Sequence, residues 1–227
     1  LHYPLRRQRQ MCIRDRSIRA THSGCWCKIC GVTSADEAAL IADLGADSIG
    51  LNFYSQSPRY LSKKEAAQIA ASTKNCSIIA LFVNPSVEEV ESIISEIDID
   101  GLQFHGDEGS EFCESFGVDY IKAISMKEIY SPKELEEYHP NAWALMLDSY
   151  VTGLSGGTGK TFDWNNWPVA RDRKLILAGG LTPENVALGI QATMPFGVDV
   201  SSGVEGEVKG VKDISLVKEF MKEVRLA

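Results

Sequence analysis

The chain has 227 residues, 44% of them hydrophobic and 24% charged, an ordinary globular composition with ample apolar material for a core. No apolar run approaches the ~18 residues of a membrane helix. The net charge of -8 is unevenly placed: residues 1–26 hold six Arg and one acid, a net of +5, which leaves -13 on the remainder. An acidic body argues against nucleic acid as the main partner.

The first 26 residues carry no hydrophobic periodicity. Their Arg-rich, acid-poor composition superficially suits an organelle transit peptide, but a clean amphipathic stripe is missing. Residues 1–25 are therefore expected to be a disordered extension, or sequence translated upstream of the true start. Deleting residues 1–24 should leave melting temperature and activity nearly unchanged. Cys12, Cys25, Cys27, Cys30, Cys76 and Cys113 do not read as a disulfide framework, because a chain this long and regular needs none and shows no secretion signal. A reduced, cytoplasmic setting fits. The run Cys25-Trp-Cys-Lys-Ile-Cys30 lacks a second Cys/His cluster to complete a zinc site.

From Trp26 onward, apolar runs of strand length alternate with helical patterns. The strand candidates are 26–30, 47–52, 77–83, 101–105, 120–124, 143–148, 174–178 and 197–200. The helices between them carry start signals. Ser34/Glu37, Ser62/Glu65, Ser86/Glu89 and Ser131/Glu134 match the capping box, and Pro132 and Pro183 suit a first helical residue. Val87, Val90, Ile93, Ile94 and Ile97 form one helical face; Ile214, Val217, Phe220, Met221 and Val224 form another. Gly45 and Gly117 read as helix ends. Eight β–α units predict one (β/α)₈ barrel over residues 26–227. The open doubly wound alternative would normally show Gly-x-Gly-x-x-Gly after the first strand, where this chain has Cys30-Gly31-Val32-Thr33.

In such a barrel the active site lies at the C-terminal ends of the strands. On the first strand Lys28 and Cys30 share the inward face, and an ammonium beside the thiol is expected to favour the thiolate; a buried structural Cys is the plainer alternative. Arg59, stiffened by Pro58, is suited to a two-bond grip on a carboxylate, although a solvated loop Arg is the common case. Gln103 and His105 share an inward face on the fourth strand. Asp148 ends an apolar strand, where partial desolvation would favour the neutral acid. Gly153–Thr161 resembles a nucleotide P-loop but has Leu154 where the first Gly must stand; a Gly-rich lid fits better. After strands seven and eight come Gly179-Gly180 and Ser201-Ser202-Gly203. Two Gly-containing turns at those places mark a phosphate site.

The ordered set Lys28-Ile-Cys-Gly-x-Thr33, Ser57-Pro-Arg59, Gln103-Phe-His-Gly-Asp-Glu108, Leu147-Asp148, Gly156-Gly-Thr-Gly-x-x-Phe-Asp-Trp164, Ala178-Gly-Gly-Leu181 and Gly197-Val-Asp-Val-Ser-Ser-Gly-Val-Glu205 closely resembles phosphoribosylanthranilate isomerase of tryptophan biosynthesis. The resemblance runs from about Trp26 to the C-terminus and leaves residues 1–25 outside. It implies an Amadori rearrangement in which Asp148 is the general acid and Cys30 the general base. Arg59 would hold the anthranilate carboxylate, and Gly180, Ser201, Ser202 and Gly203 the phosphate, with His105 and Asp199 as site neighbours. It implies a small phosphorylated substrate, no metal or organic cofactor, no nucleic-acid or membrane partner, and a monomer or homodimer. Two alternatives are a histidine-pathway sugar-phosphate isomerase, which has Asp where Cys30 stands, and a non-catalytic sugar-phosphate-binding barrel.

Overall fold

The computed structural model describes residues 17–20, 24–125, 132–148, 164–168 and 173–227. Eight parallel strands close into a barrel in sequential order. They are β1 (Trp26–Cys30), β2 (Ser48–Asn52), β3 (Ser77–Phe82), β4 (Gly101–Phe104), β5 (Tyr120–Ser125), β6 (Ala144–Asp148), β7 (Leu175–Leu177) and β8 (Gly197–Val200). Every strand read from the sequence is there, with no end moved by more than one residue. The helices are α1 (Ala35–Asp43), α2 (Lys63–Ser72), α3 (Val87–Glu96), α4 (Ser110–Glu114), α5 (Pro132–Glu137), α6 (Val186–Thr193) and α7 (Ile214–Leu226). Between β6 and β7 the described residues contribute only a 3-10 turn, Trp164–Asn166. The Gly153–Thr161 stretch and the Ser131 cap lie outside the described residues.

The local rules explain most of the helix starts. Ser62/Glu65 and Ser86/Glu89 form complete capping boxes, each Ser side chain bonded to the N–H of its Glu and each Glu returning to the Ser N–H, which satisfies donors the helix itself cannot. Ser34 caps α1 in the same way, but Glu37 does not complete the box. Its carboxylate instead accepts from Thr33 and from the backbone N–H of Lys212, tying the loop after β1 to the loop after β8. Pro183 is not the first residue of α6; it sits in a turn in which Asn185 Oδ1 accepts from the Thr182 N–H and Asn185 Nδ2 donates to Gly180 O. Gly45 and Gly117 adopt φ of 85° and 62° at the ends of α1 and α4, as a helix stop requires.

Two apolar layers result. Outside the strands, Val90 and Ile93 of α3 and Val217, Phe220, Met221 and Val224 of α7 are buried against the barrel. Inside, Trp26, Ile79, Ile121, Met146 and Ile176 fill the lower part. That inner cluster also contains Ile18, only 5% exposed. Its N–H donates to Asp119, the Arg19 N–H donates to Ser77 Oγ, and the Trp26 indole donates to Arg19 O. A Cβ on Gly101 would meet the Ile18 side chain at 2.6 Å, so a glycine leaves the space that Ile18 takes. The expectations of a disordered extension and of an unchanged melting temperature on deleting residues 1–24 are thereby corrected for residues 17–20: removing Ile18 with the rest should lower stability. A single Ile in a polar stretch has no period, so pattern reading passes it over.

Ile18→Asp should destabilise the fold by about 3 kcal/mol, from lost apolar burial and a carboxylate forced into a dry site. For a chain of this size that is a fall in Tm of about 6–12 °C. A melting curve unchanged by the substitution would mean that Ile18 does not plug the barrel.

Candidate active site

Above the apolar floor the inner face of the barrel turns polar. β1 carries Lys28 and Cys30 inward, β8 Asp199, β4 Gln103, β6 Asp148, and His105 follows β4 directly. The register sets Lys28 beside Asp199 and Cys30 beside Gly50. Lys28 Nζ lies 2.9 Å from Asp199 Oδ1, with both residues buried. Burial would strip the Lys28 proton, but Asp199 and Cys30 outweigh it and its pKa is raised. For Asp199 burial pushes the carboxyl up against the pull of Lys28; His105 and Asp148 act on it as well. Asp199 thus couples electrostatically to both sides of the site.

Gly50 is a site residue that motif reading passed over. A Cβ there would come 2.8 Å from Cys30 Sγ and 3.1 Å from Lys28 Nζ. The bare backbone of β2 therefore makes room for the thiol and the ammonium together. The expected thiolate, however, is not the resting form. Desolvation pushes the Cys30 thiol above its usual value, and Lys28 and Lys212 offset this only in part, with Asp199 working against them. Lys28 is largely spent on Asp199, which a sequence cannot reveal.

On the opposite wall, Asp148 Oδ2 lies 3.3 Å from His105 Nε2. Gln103, fully buried, sets Nε2 3.1 Å from His105 Nδ1. With Gln103 as donor, Nδ1 accepts and Nε2 carries the proton that points at Asp148. The turn after His105 is fixed from beneath: Glu108 accepts from the N–H groups of Asn84 and Gly106 and pairs with buried Lys122 at 3.2 Å. His105 and Asp148 thus meet at the barrel mouth.

Arg59 is not the open fork expected. Its Nε and Nη2 lie 2.5 and 2.8 Å from the two oxygens of Glu205, a bidentate pair, and its stem lies over Gly31. The Nη1–Nη2 edge makes no hydrogen bond to the described residues. The loop that carries Arg59 is shaped by Asn52, whose side chain bonds Ser57 Oγ and the Tyr54 N–H, and by Ser57 Oγ accepting from the Arg59 N–H.

The turns after β7 and β8 converge. Gly179 and Gly180 adopt φ of 84° and 67°, and Ser202–Val204 forms a 3-10 turn. A Cβ on Gly203 would fall 1.8 Å from Leu181 O, so the two turns touch backbone to backbone. The N–H groups of Gly180, Ser202 and Gly203 take no backbone hydrogen bond among the described residues. Such a cluster of free donors suits an anion. Among the described residues no group of three His, Cys, Asp or Glu side chains could hold a metal ion, and Cys25, Cys27, Cys30, Cys76 and Cys113 are all free thiols. No helix of the described residues is long and apolar enough to cross a membrane.

A barrel with an inward thiol facing a carboxylate, and an anion cradle between them, narrows the family. The family model described as N-(5'-phosphoribosyl)anthranilate (PRA) isomerase matches residues 27–223. The chain belongs to this family. The N-(5'-phosphoribosyl)anthranilate isomerase of Alcanivorax borkumensis is 42% identical over 205 residues, covering 87% of this chain and 94% of that protein. Among solved structures, monomers generated from the dimeric phosphoribosylanthranilate isomerase of Thermotoga maritima are similar at 32% identity and a TM-score of 0.74, over 89% of this chain and all of the other. A phosphoribosylanthranilate isomerase in complex with reduced 1-(o-carboxyphenylamino)-1-deoxyribulose 5-phosphate is similar at 31% identity and a TM-score of 0.72, with the same coverage. Isomerase family membership and the eight-stranded barrel agree with the motif set. Glu205 stands at the end of a quoted motif, but its pairing with Arg59 is not legible there, because Arg59 lies on the loop after β2; Lys212 stands in none of the motifs.

Proposed function

We propose that this chain catalyses the Amadori rearrangement of N-(5'-phosphoribosyl)anthranilate to 1-(2-carboxyphenylamino)-1-deoxyribulose 5-phosphate, a step of tryptophan biosynthesis. The observation that carries the reading is the thiol of Cys30 and the carboxyl of Asp148 at the C-terminal ends of β1 and β6, on opposite walls of the barrel mouth. Asp148 gives a proton to the ribose ring oxygen, and the C1–O bond breaks as the anthranilate nitrogen forms an iminium. Cys30 takes the proton from the neighbouring sugar carbon. The electron pair left behind neutralises the iminium, giving an enolamine that tautomerises to the ketone. The iminium is itself the electron sink, so the reaction needs no redox partner.

The binding roles follow from charge. The open Nη1–Nη2 edge of Arg59 suits the anthranilate carboxylate. The amides of Gly180, Ser202 and Gly203, with Ser201 beside them, suit the phosphate. His105 orients Asp148, and Asp199 holds Lys28 beside the thiol. Residues 26–227 form the catalytic unit, in the cytoplasm, as a monomer or a homodimer like the Thermotoga relative.

Loss of the fluorescence of the anthranilate adduct tests the reaction directly. Turnover of that substrate is expected; turnover of the histidine-pathway sugar phosphate alone, or of neither, overturns the proposal. The resting state of Cys30 adds a pH dependence. A base whose conjugate acid is held above its usual value gains its active form only as pH rises. Where the iminium is already formed and abstraction of its neighbouring proton alone limits the rate, so that the Asp148 proton has been used before that step, kcat should climb by about tenfold per pH unit from neutrality toward pH 8.5. A flat profile over that range, with abstraction shown to be limiting by a kinetic isotope effect at the abstracted position, would remove Cys30 as the base.

A further inference from the structure

Two cations near the thiol share one carboxylate. Glu205 binds Arg59 through both oxygens and Lys212 through Oε1 at 2.9 Å. Its Oε2 also accepts the N–H of Gly210 at 3.1 Å. The side chains of Glu205 and Lys212 are 4% and 0% exposed. Their backbones form an antiparallel bridge, flanked by Gly206 N–H to Val211 O and Asp213 N–H to Val204 O. Loop β8–α7 thus carries a small hairpin with the carboxylate on one arm and the ammonium on the other.

This hairpin is wedged among the loops that form the mouth. Thr33 Oγ1, from the loop after β1, donates to Gly210 O at 2.9 Å. A Cβ on Gly210 would meet Pro58 O at 2.9 Å, so the segment just before Arg59 abuts the hairpin's turn. Lys212 Nζ also donates to the carbonyl of Ser201, beside the anion cradle. A single acidic side chain therefore ties together the loops after β2 and β8.

The charges are unbalanced in a useful direction. Lys28 and Asp199 cancel. Within the ion-paired cluster Arg59 and Lys212 outnumber Glu205 by one, while the carboxylate of Glu37 is turned to the backbone N–H of Lys212 and to Thr33. Burial works against the Glu205 charge, but Arg59, Lys212 and the Gly210 N–H overrule it and hold its pKa at about 2; the bridge persists at any pH at which the protein works.

We infer that Glu205 is a positioning residue, fixing the Arg59 guanidinium and Lys212 so that the Nη1–Nη2 edge meets the substrate already oriented. The inference rests on the proposed role of Arg59 and goes beyond it, because Glu205 touches no reacting atom. Preorganisation of this kind saves the ordering cost that a loose Arg side chain would bring to binding.

Glu205→Gln keeps the shape and removes the charge. It should raise KM for N-(5'-phosphoribosyl)anthranilate by about tenfold while changing kcat less, the signature of lost substrate binding. In an Arg59→Ala background the same change should add little to KM, since the group it positions is gone. Glu205→Asp retains the charge but is one methylene too short to span both cations, so its KM should fall between wild type and Glu205→Gln. The inference is overturned if Glu205→Gln keeps the wild-type KM, or raises it by the same factor with and without Arg59. Should Glu205→Gln fail to fold, a wild-type KM in Glu205→Asp overturns it equally. An Arg59→Ala variant with unchanged KM is a separate failure: it removes the proposed role of Arg59 and the inference with it, while turnover by the wild type still stands for the reaction.

Discussion

Cys30→Ala and Asp148→Asn should each lower kcat by about 10²–10⁴, the usual worth of a general base or acid. Neither substitution threatens the fold. Cys30 loses one sulfur atom from the wall of the mouth, and Asp148→Asn keeps shape at a position that is part exposed. The two losses should differ in kind. Without Cys30, ring opening can proceed but the iminium waits for a base. Cys30→Ser should fail nearly as badly as Cys30→Ala, because a hydroxyl is far harder to ionise than a thiol already held above its usual value by burial. Without the acid at Asp148 the ring oxygen leaves unassisted, so substrate should still bind while ring opening stalls. Circular dichroism and a thermal melt verify folding, and the fluorescence assay gives the rate. Wild-type turnover in both folded variants would end the acid–base assignment.

The placement of these two groups at the ends of their strands could be anticipated, since β1 and β6 end at Cys30 and Asp148 and inward alternation is a local property. The same holds for the eight strands, whose apolar runs and capping residues are contiguous in sequence. What could not be anticipated depends on pairs far apart along the chain. Lys28 looked like an activator of Cys30 until Asp199, 171 positions later, proved to hold its ammonium. Arg59 looked free until Glu205, 146 positions later, proved to hold half of its guanidinium. Glu37 matched a capping box, yet its carboxylate serves Lys212 across the rim. In each case the residue type was legible and its partner was not, because register and loop geometry decide which charges meet. Ile18 is the opposite case: its role rests on one side chain with no pattern around it.

Gly203→Val should disable both the fold of the rim and phosphate binding. Leu181 O would stand 1.8 Å from the new Cβ, and Thr182 Cα 3.3 Å away. The first of these is a backbone carbonyl of the facing turn, not the end of a flexible side chain, so the two turns must separate. Overpacking of this kind costs about 3 kcal/mol or more, a Tm fall of about 6–12 °C for a chain of this length. The separated turns would no longer aim their N–H groups at one point, and KM should rise by about tenfold or more. Gly180→Ala provides the contrast. Its φ of 67° makes an Ala cost about 1–2 kcal/mol, so Tm should fall only a few degrees while KM still rises as the amide tilts. Inorganic phosphate should compete with substrate in the wild type and lose that competition in Gly180→Ala. A Gly203→Val protein with wild-type Tm and KM would show that the turns after β7 and β8 do not meet. Unchanged phosphate inhibition in Gly180→Ala would move the anion elsewhere, since a cradle of backbone amides cannot survive the reorientation of one of its donors.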